Sequence, residues 1–250
     1  MKRIASFCFV GALSVLLFGV VAPAAEPEYG FGGGGPSIGL FMPDLSEINE
    51  FITGIGFASL DGSLFLIGGS GRGGLLPGPV GGGAGWGAWI ESRQGNLHTE
   101  YGVGLGGLDV GYALGGDDSS ALVVGMVLGA GGAELILTEL PLFEPLAVGA
   151  RGIIVEPTQE TYDSLFAFAA PYVDAQIQLV DWIGLGIRAG YLWAPFEFNW
   201  SDTGELDPPR LAISGFYVRF SVIFGAFGKI NVDPVDELPT DAPKMTEKRT

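Results

Sequence analysis

The chain has 250 residues and a formal charge of −16, yet only 16% of its residues are charged, while 48% are hydrophobic and 43 are glycine. So acidic a protein repels the phosphates of nucleic acid, and its mean hydropathy of +0.39 is too high for a disordered chain. A single cysteine, Cys8, and a single histidine, His98, exclude a cysteine or multi-histidine metal site and leave any catalytic triad only His98 as its base.

In chain order, Met1-Lys2-Arg3 sets two positive charges before an apolar run from Ile4 to Val21, which ends in Ala22-Pro23-Ala24-Ala25-Glu26. Charged, apolar and small-residue regions in that order are those of a secretory signal peptide, so residues 1–25 are set apart from the fold. Loss of Lys2 and Arg3 with the signal takes the formal charge from −16 to −18. Cys8 leaves as well, and the mature chain is expected to have neither a disulfide nor a thiol nucleophile.

A glycine-rich opening from Phe31 to Pro36 and a short stretch from Ser37 to Met42 precede the one helix signature. Asp44 suits an N-cap, Glu47 stands at the capping-box position, and Leu45, Ile48 and Ile52 recur at helical spacing, with Gly54 to close the end. This predicts one short helix near residues 45–53. Beyond it, turn signals predict strands at roughly 57–69, 82–94, 99–114, 119–138, 145–156, 164–179, 183–194 and 211–227. The stretch 119–138 also reads as two strands folded at Gly129-Ala130-Gly131-Gly132, so about eight to ten strands are expected. Residues 230–250 turn to Pro, Asp, Glu, Lys and Thr and are expected to form a flexible polar tail, leaving 26–229 as one domain.

The informative pattern is the alternation in the C-terminal half. Ile183, Leu185, Ile187, Ala189, Tyr191 and Trp193 share one strand face, opposite Gly184, Gly186, Arg188 and Gly190. Val173, Ala175, Ile177 and Leu179 oppose Asp174, Gln176 and Gln178; Phe216, Val218, Phe220, Val222 and Phe224 oppose Tyr217, Arg219, Ser221 and Gly225. Like faces stay together only if the hairpin around Val180-Asp181-Trp182 keeps parity. A three-residue loop sets Leu179 beside Ile183, Gln176 beside Gly186 and Asp174 across from Arg188. Asp174, Gln176, Arg188 and Arg219 are therefore expected to form an enclosed polar face, where paired charges are tolerated.

An apolar face fits either a protein core or a bilayer. Predicted strands long enough for the roughly 9–11 residues that cross hydrocarbon favour the bilayer, as do the export signal and the aromatics Trp86, Tyr101, Tyr112, Tyr191, Trp193 and Trp200 at predicted strand ends. Over about residues 164–228 the chain resembles the outer-membrane β-barrel proteins, in the stretches Ile183 to Tyr191 and Gly215 to Phe224. The resemblance implies an all-β antiparallel barrel in the outer membrane, with membrane lipid as its partner against Ile183, Leu185, Ile187, Phe216, Val218 and Phe220. The alternative is a secreted or periplasmic β-sandwich, which the doubly apolar segments 59–69 and 119–138 would suit.

Three motifs point elsewhere. Gly102-Val-Gly-Leu-Gly-Gly107 spells a dinucleotide fingerprint but runs into more strand, so no nucleotide is expected. Asp117-Asp118-Ser119-Ser120 reads as a hairpin turn before it reads as a calcium loop. Glu91, His98 and Glu100 flank the Gln94-Gly95-Asn96 turn, where solvation explains them better than acid–base catalysis. With no constellation of nucleophile, base and orienting group, the expected role is structural or loop-mediated binding, with a narrow passage at most, no enzymatic activity and no cofactor.

Overall fold

Side chains that alternate between two faces leave the backbone to be satisfied by neighbouring strands, and here no strand edge is left over. A computed structural model describes residues 29–141, 158–202 and 209–229. The expected signal peptide, the polar tail and the strand at 145–156 lie outside the described residues. The elements are β1 (Tyr29–Pro43), α1 (Ser46–Gly54), β2 (Leu64–Leu76), β3 (Gly78–Gln94), β4 (Leu97–Gly116), β5 (Ser120–Glu139), β6 (Thr158–Val180), β7 (Ile183–Asp202) and β8 (Gly215–Lys229). Each strand is antiparallel to the next, and β8 returns to β1 with Tyr29 opposite Lys229 and Pro43 opposite Gly215. The described residues thus form an all-β closed barrel of eight antiparallel strands with one short helix. Two packed sheets could not make the β1–β8 pairing, so the sandwich alternative is set aside.

Two local expectations are corrected. The glycine-rich opening is a full strand, β1, with Phe31, Ser37 and Phe41 turned inward. Residues 129–132 do not turn: they pair in register with Leu165 to Phe168 inside one long β5. A Cβ on Gly131 would stand 2.6 Å from Leu105 Cδ2 and 2.7 Å from Phe166 Cζ, so this glycine makes room for inward side chains rather than bending the chain.

The two rims differ. At one, connections are short (Pro77, 117–119 and 181–182), and the strand ends Tyr29 and Lys229 meet there. At the other are the tight turn at 95–96 and the longer connections 44–63, 140–157 and 203–214. This loop rim is covered. The N-cap of α1 is Leu45 and not the expected Asp44, and it makes no side-chain cap hydrogen bond. Asp44 Oδ1 accepts the Ser46 N–H at 3.1 Å just ahead of the helix, and Ile48 and Ile52 are buried. The Phe51 ring meets Tyr162 of β6 edge-on at 5.6 Å. Since β6 lies across the ring from β2, α1 spans the mouth. The reversal after the helix falls at Gly56, with φ +94°, and not at Gly54. From the other side Leu211, Ala212 and Ile213 fold in, and Leu211 accepts the Tyr101 hydroxyl at 2.7 Å.

Candidate functional site

An eight-stranded barrel has an interior just wide enough for its side chains to fill. The filling is layered. Under α1 lie Phe41, Leu64, Tyr101, Leu135, Tyr162 and Phe166, all nearly inaccessible to solvent. Toward the turn rim Phe31 stacks on Phe227 at 5.5 Å beside a glycine-lined cavity of about 20 Å³, room for about one water. Between them is a layer of charge.

That layer contains all four sequence-predicted polar residues, Asp174, Gln176, Arg188 and Arg219, each buried. Asp174 is directly across from Arg188, and Gln176 across from Gly186. Near the turn the register differs from expectation: the loop is Asp181-Trp182 alone, Val180 pairs with Ile183, and a bulge at Leu179 takes up the extra residue. Arg188 Nε donates to Asp174 Oδ2 at 2.8 Å, and Nη2 donates to Asp109 Oδ2 at 2.8 Å. Arg72 donates to Asp174 Oδ1 and to the Tyr172 hydroxyl, which itself donates to Asp109. Gln176, its amide oxygen turned to the guanidinium, accepts from Arg72 Nε at 3.1 Å. The Arg188 guanidinium lies 3.7 Å from the centre of the Tyr172 ring, and that of Arg219 4.4 Å from Trp86.

Sequence reasoning missed Arg72, Asp109, Tyr172 and Trp86 as members of this layer, while Tyr217 is buried on the face of Arg219, where the alternation put it. Arg72 lies among glycines that read as a loop, and Asp109 is one acid in an apolar stretch. Trp86 and Tyr101, expected among the rim aromatics, are inside. Neighbouring glycines decide how these rings lie. A Cβ on Gly190 would come within 2.6 Å of the Tyr217 hydroxyl oxygen, so Gly190→Val is expected to destabilise the barrel by about 1–3 kcal/mol through overpacking. Gly104→Ala, on the outside of β4 with nothing within 4 Å of the new methyl, should be near neutral. Urea-unfolding midpoints of the two variants check the pair.

Outside, Ile183, Leu185, Ile187, Phe216, Val218 and Phe220 lie on the outer face, Ile187 being 45% and Phe220 56% exposed. Around the ring they are joined by Ile38, Leu40, Phe65, Ile67, Leu108, Val110, Leu122, Leu128, Val173 and Ile177. Exposed aromatics flank them: Trp182 stacks on Phe224 near the turn rim, and Tyr191 meets Phe216 edge-on at 4.9 Å toward the loop rim.

The other motifs resolve locally. Gly102 to Gly107 is the middle of β4, with no helix following. In the β4–β5 turn the Ser119 N–H, then the Ser119 and Ser120 hydroxyls, donate to Asp117 and hold its carboxyl below the usual carboxylate range. Glu91 and Glu100 are cross-strand neighbours on the outer face, and His98 stands between them, Nε2 3.3 Å from Glu91 and Nδ1 3.4 Å from Glu100. Each carboxylate faces a different ring nitrogen, the Glu91 contact being a hydrogen bond, and one potential ligand atom from each of the three residues lies within 4.8 Å of the others.

A closed ring of antiparallel strands with charges inside and an apolar outside is the architecture of outer-membrane β-barrel proteins, the class this chain resembles. No family model and no curated protein matches the chain. Among solved structures it aligns with Ail, the attachment invasion locus protein of Yersinia pestis, in complex with the heparin analogue sucrose octasulfate, at 9% identity and a TM-score of 0.40, covering 81% of this chain and 100% of that one. A second Ail crystal structure aligns at 10% identity and 0.37 over the same shares. Both are distant likenesses.

Proposed function

We propose that the chain is an integral outer-membrane β-barrel whose filled lumen conducts no solute and whose role, structural or in binding, is carried by its loop rim. The observation that carries this reading is the inverted polarity: Arg72, Asp109, Asp174, Arg188 and Arg219 are buried inside, while the outside is apolar on strand after strand. A protein surrounded by water rarely shows an apolar patch beyond a few hundred Å², whereas lipid requires one all the way round. Unequal rims add to it, because short turns on the periplasmic side and longer connections outside are the pattern of such barrels. Ile183, Leu185, Ile187, Phe216, Val218 and Phe220 would then face acyl chains, and membrane lipid is the one partner assigned. Glycines in the wall would leave room for a narrow passage, but the Arg–Asp layer and α1 occupy it. Among the described residues no group in the lumen is arranged as nucleophile and base, and no reaction and no cofactor is proposed.

Fractionation of cells expressing the full chain, followed by gel mobility of the detergent-extracted protein with and without heating, tests the reading. Outer-membrane recovery with a fast-migrating unheated form is expected. Recovery as a soluble protein would refute it.

A further inference from the structure

From the residues in the charged layer we infer that the lumen binds one small monovalent anion, against Arg219 and the free edge of Arg188. The inference concerns the interior and stands apart from the solvent assigned to the outside.

Among the described residues the charged layer holds three arginines, Arg72, Arg188 and Arg219, and two aspartates, Asp109 and Asp174, a surplus of one positive charge within a strongly acidic protein. Both carboxylates are committed: Asp174 to Arg72 and Arg188, Asp109 to Arg188 and the Tyr172 hydroxyl. Arg219 forms no ion pair within the described residues, although only 3% of it is exposed. An unpaired buried charge is among the most costly features a protein interior can carry.

Among the described residues seven buried side-chain polar atoms have no hydrogen-bond partner; Thr99 Oγ1 and Ser164 Oγ lie elsewhere, and the other five fall in the same place. Arg219 Nε and Nη1, Arg188 Nη1, the Tyr217 hydroxyl and the Ser37 hydroxyl are buried without a partner. Register places them on one patch of the inner wall. Arg219 is directly across from Arg188 on one side and from Gly39 on the other. Tyr217 stands two residues before Arg219, and Ser37 two before Gly39, so all project inward. Each of these atoms can donate, and none belongs to a carboxylate. Trp86 lies over a face of the Arg219 guanidinium, while Nε and Nη1 of that arginine are left without a hydrogen-bond partner. Like charges set directly opposite repel. A water molecule would meet the missing hydrogen bonds but not the charge, whereas an anion between the two guanidinium edges meets both. One surplus charge and an interior already filled with side chains limit the ligand to a small monovalent ion, for which chloride serves as the probe.

The full chain, folded in detergent at fixed sodium concentration, is heated with chloride progressively replacing gluconate, and the midpoint of conversion to the slow-migrating form is read. A saturable rise of about 3 °C at tenfold excess over the dissociation constant is expected. Arg219→Met, which keeps the apolar stem, should abolish the rise, and Arg93→Met on the outer surface should leave it intact. A wild-type midpoint indifferent to the anion, or an Arg219→Met variant that responds as wild type does, overturns the inference. Should Arg219→Met fail to fold, crystals of the wild-type protein grown in bromide decide the matter: anomalous signal between Arg219 and Arg188 supports the site, and ordered water alone there refutes it.

Discussion

Asp174→Ala is expected to lower the unfolding free energy of the barrel by about 3–5 kcal/mol, the largest single effect in the lumen. Asp174 accepts from Arg72 on β2 and from Arg188 on β7, so its loss strips counter-charge from two buried guanidinium groups at once. The ion pairs need not be strongly stabilising in themselves for this to hold; the cost lies in what removal of one member leaves behind. For the same reason Asp174→Leu combined with Arg188→Leu should cost less than the sum of the single changes. Equilibrium urea unfolding in detergent, followed by tryptophan fluorescence, reads both. A loss under about 1 kcal/mol for Asp174→Ala would mean that water reaches the layer and solvates the arginines, contrary to their burial.

On the outer face the corresponding change is Ile187→Arg. Ile187 sits between Ala175 and Phe220 on the neighbouring strands and is turned away from the lumen. If lipid surrounds it near the midplane, the substitution costs about 2–4 kcal/mol and blocks or slows assembly into vesicles. Thr158→Arg, at the exposed start of β6 on the loop rim, should assemble normally. The yield of heat-modifiable, protease-resistant protein compares the two. Equal yields would place Ile187 in water and remove the support for a lipid-facing wall.

Much of the C-terminal half was legible because there each strand sets large apolar residues against small or polar ones. Parity together with an assumed three-residue loop gave the pairing of Asp174 with Arg188; the pairing holds because a two-residue loop and one bulged residue add up to the same register. The same logic missed the bulge at Leu179, a backbone adjustment that leaves no mark in composition. β1 and β3 were harder to read for a different reason. The outer face of β3 carries Gly81, Gly83, Gly85 and Gly87, and its inner face carries Ala84, Trp86 and Ala88. With glycine outside, the larger residue is the one that points in, and Trp86 was taken for a rim aromatic. Arg72 and Asp109 were invisible as a site because what makes them one is the meeting of β2, β4, β6 and β7 across the lumen, a relation with no local signature. Closure itself was an expectation rather than a derivation: an apolar face fits a second sheet as well as it fits lipid, and only the pairing of β1 with β8 decides between them.

That pairing also imposes an order in time. Tyr29 waits for Lys229, so β1 finds one of its two partners only when β8, much later in the chain, has been made. Until then its N–H and C=O groups face outward along one edge, and hydrocarbon offers nothing to bond them. In the membrane reading the chain therefore cannot enter strand by strand. It must cross the aqueous compartment with its apolar stripes still unburied, and its long-range closure makes the final step slow. In that reading the unclosed chain carries a bare strand edge able to pair with its own copies until β8 reaches β1, a hazard that comes from topology rather than from any particular side chain.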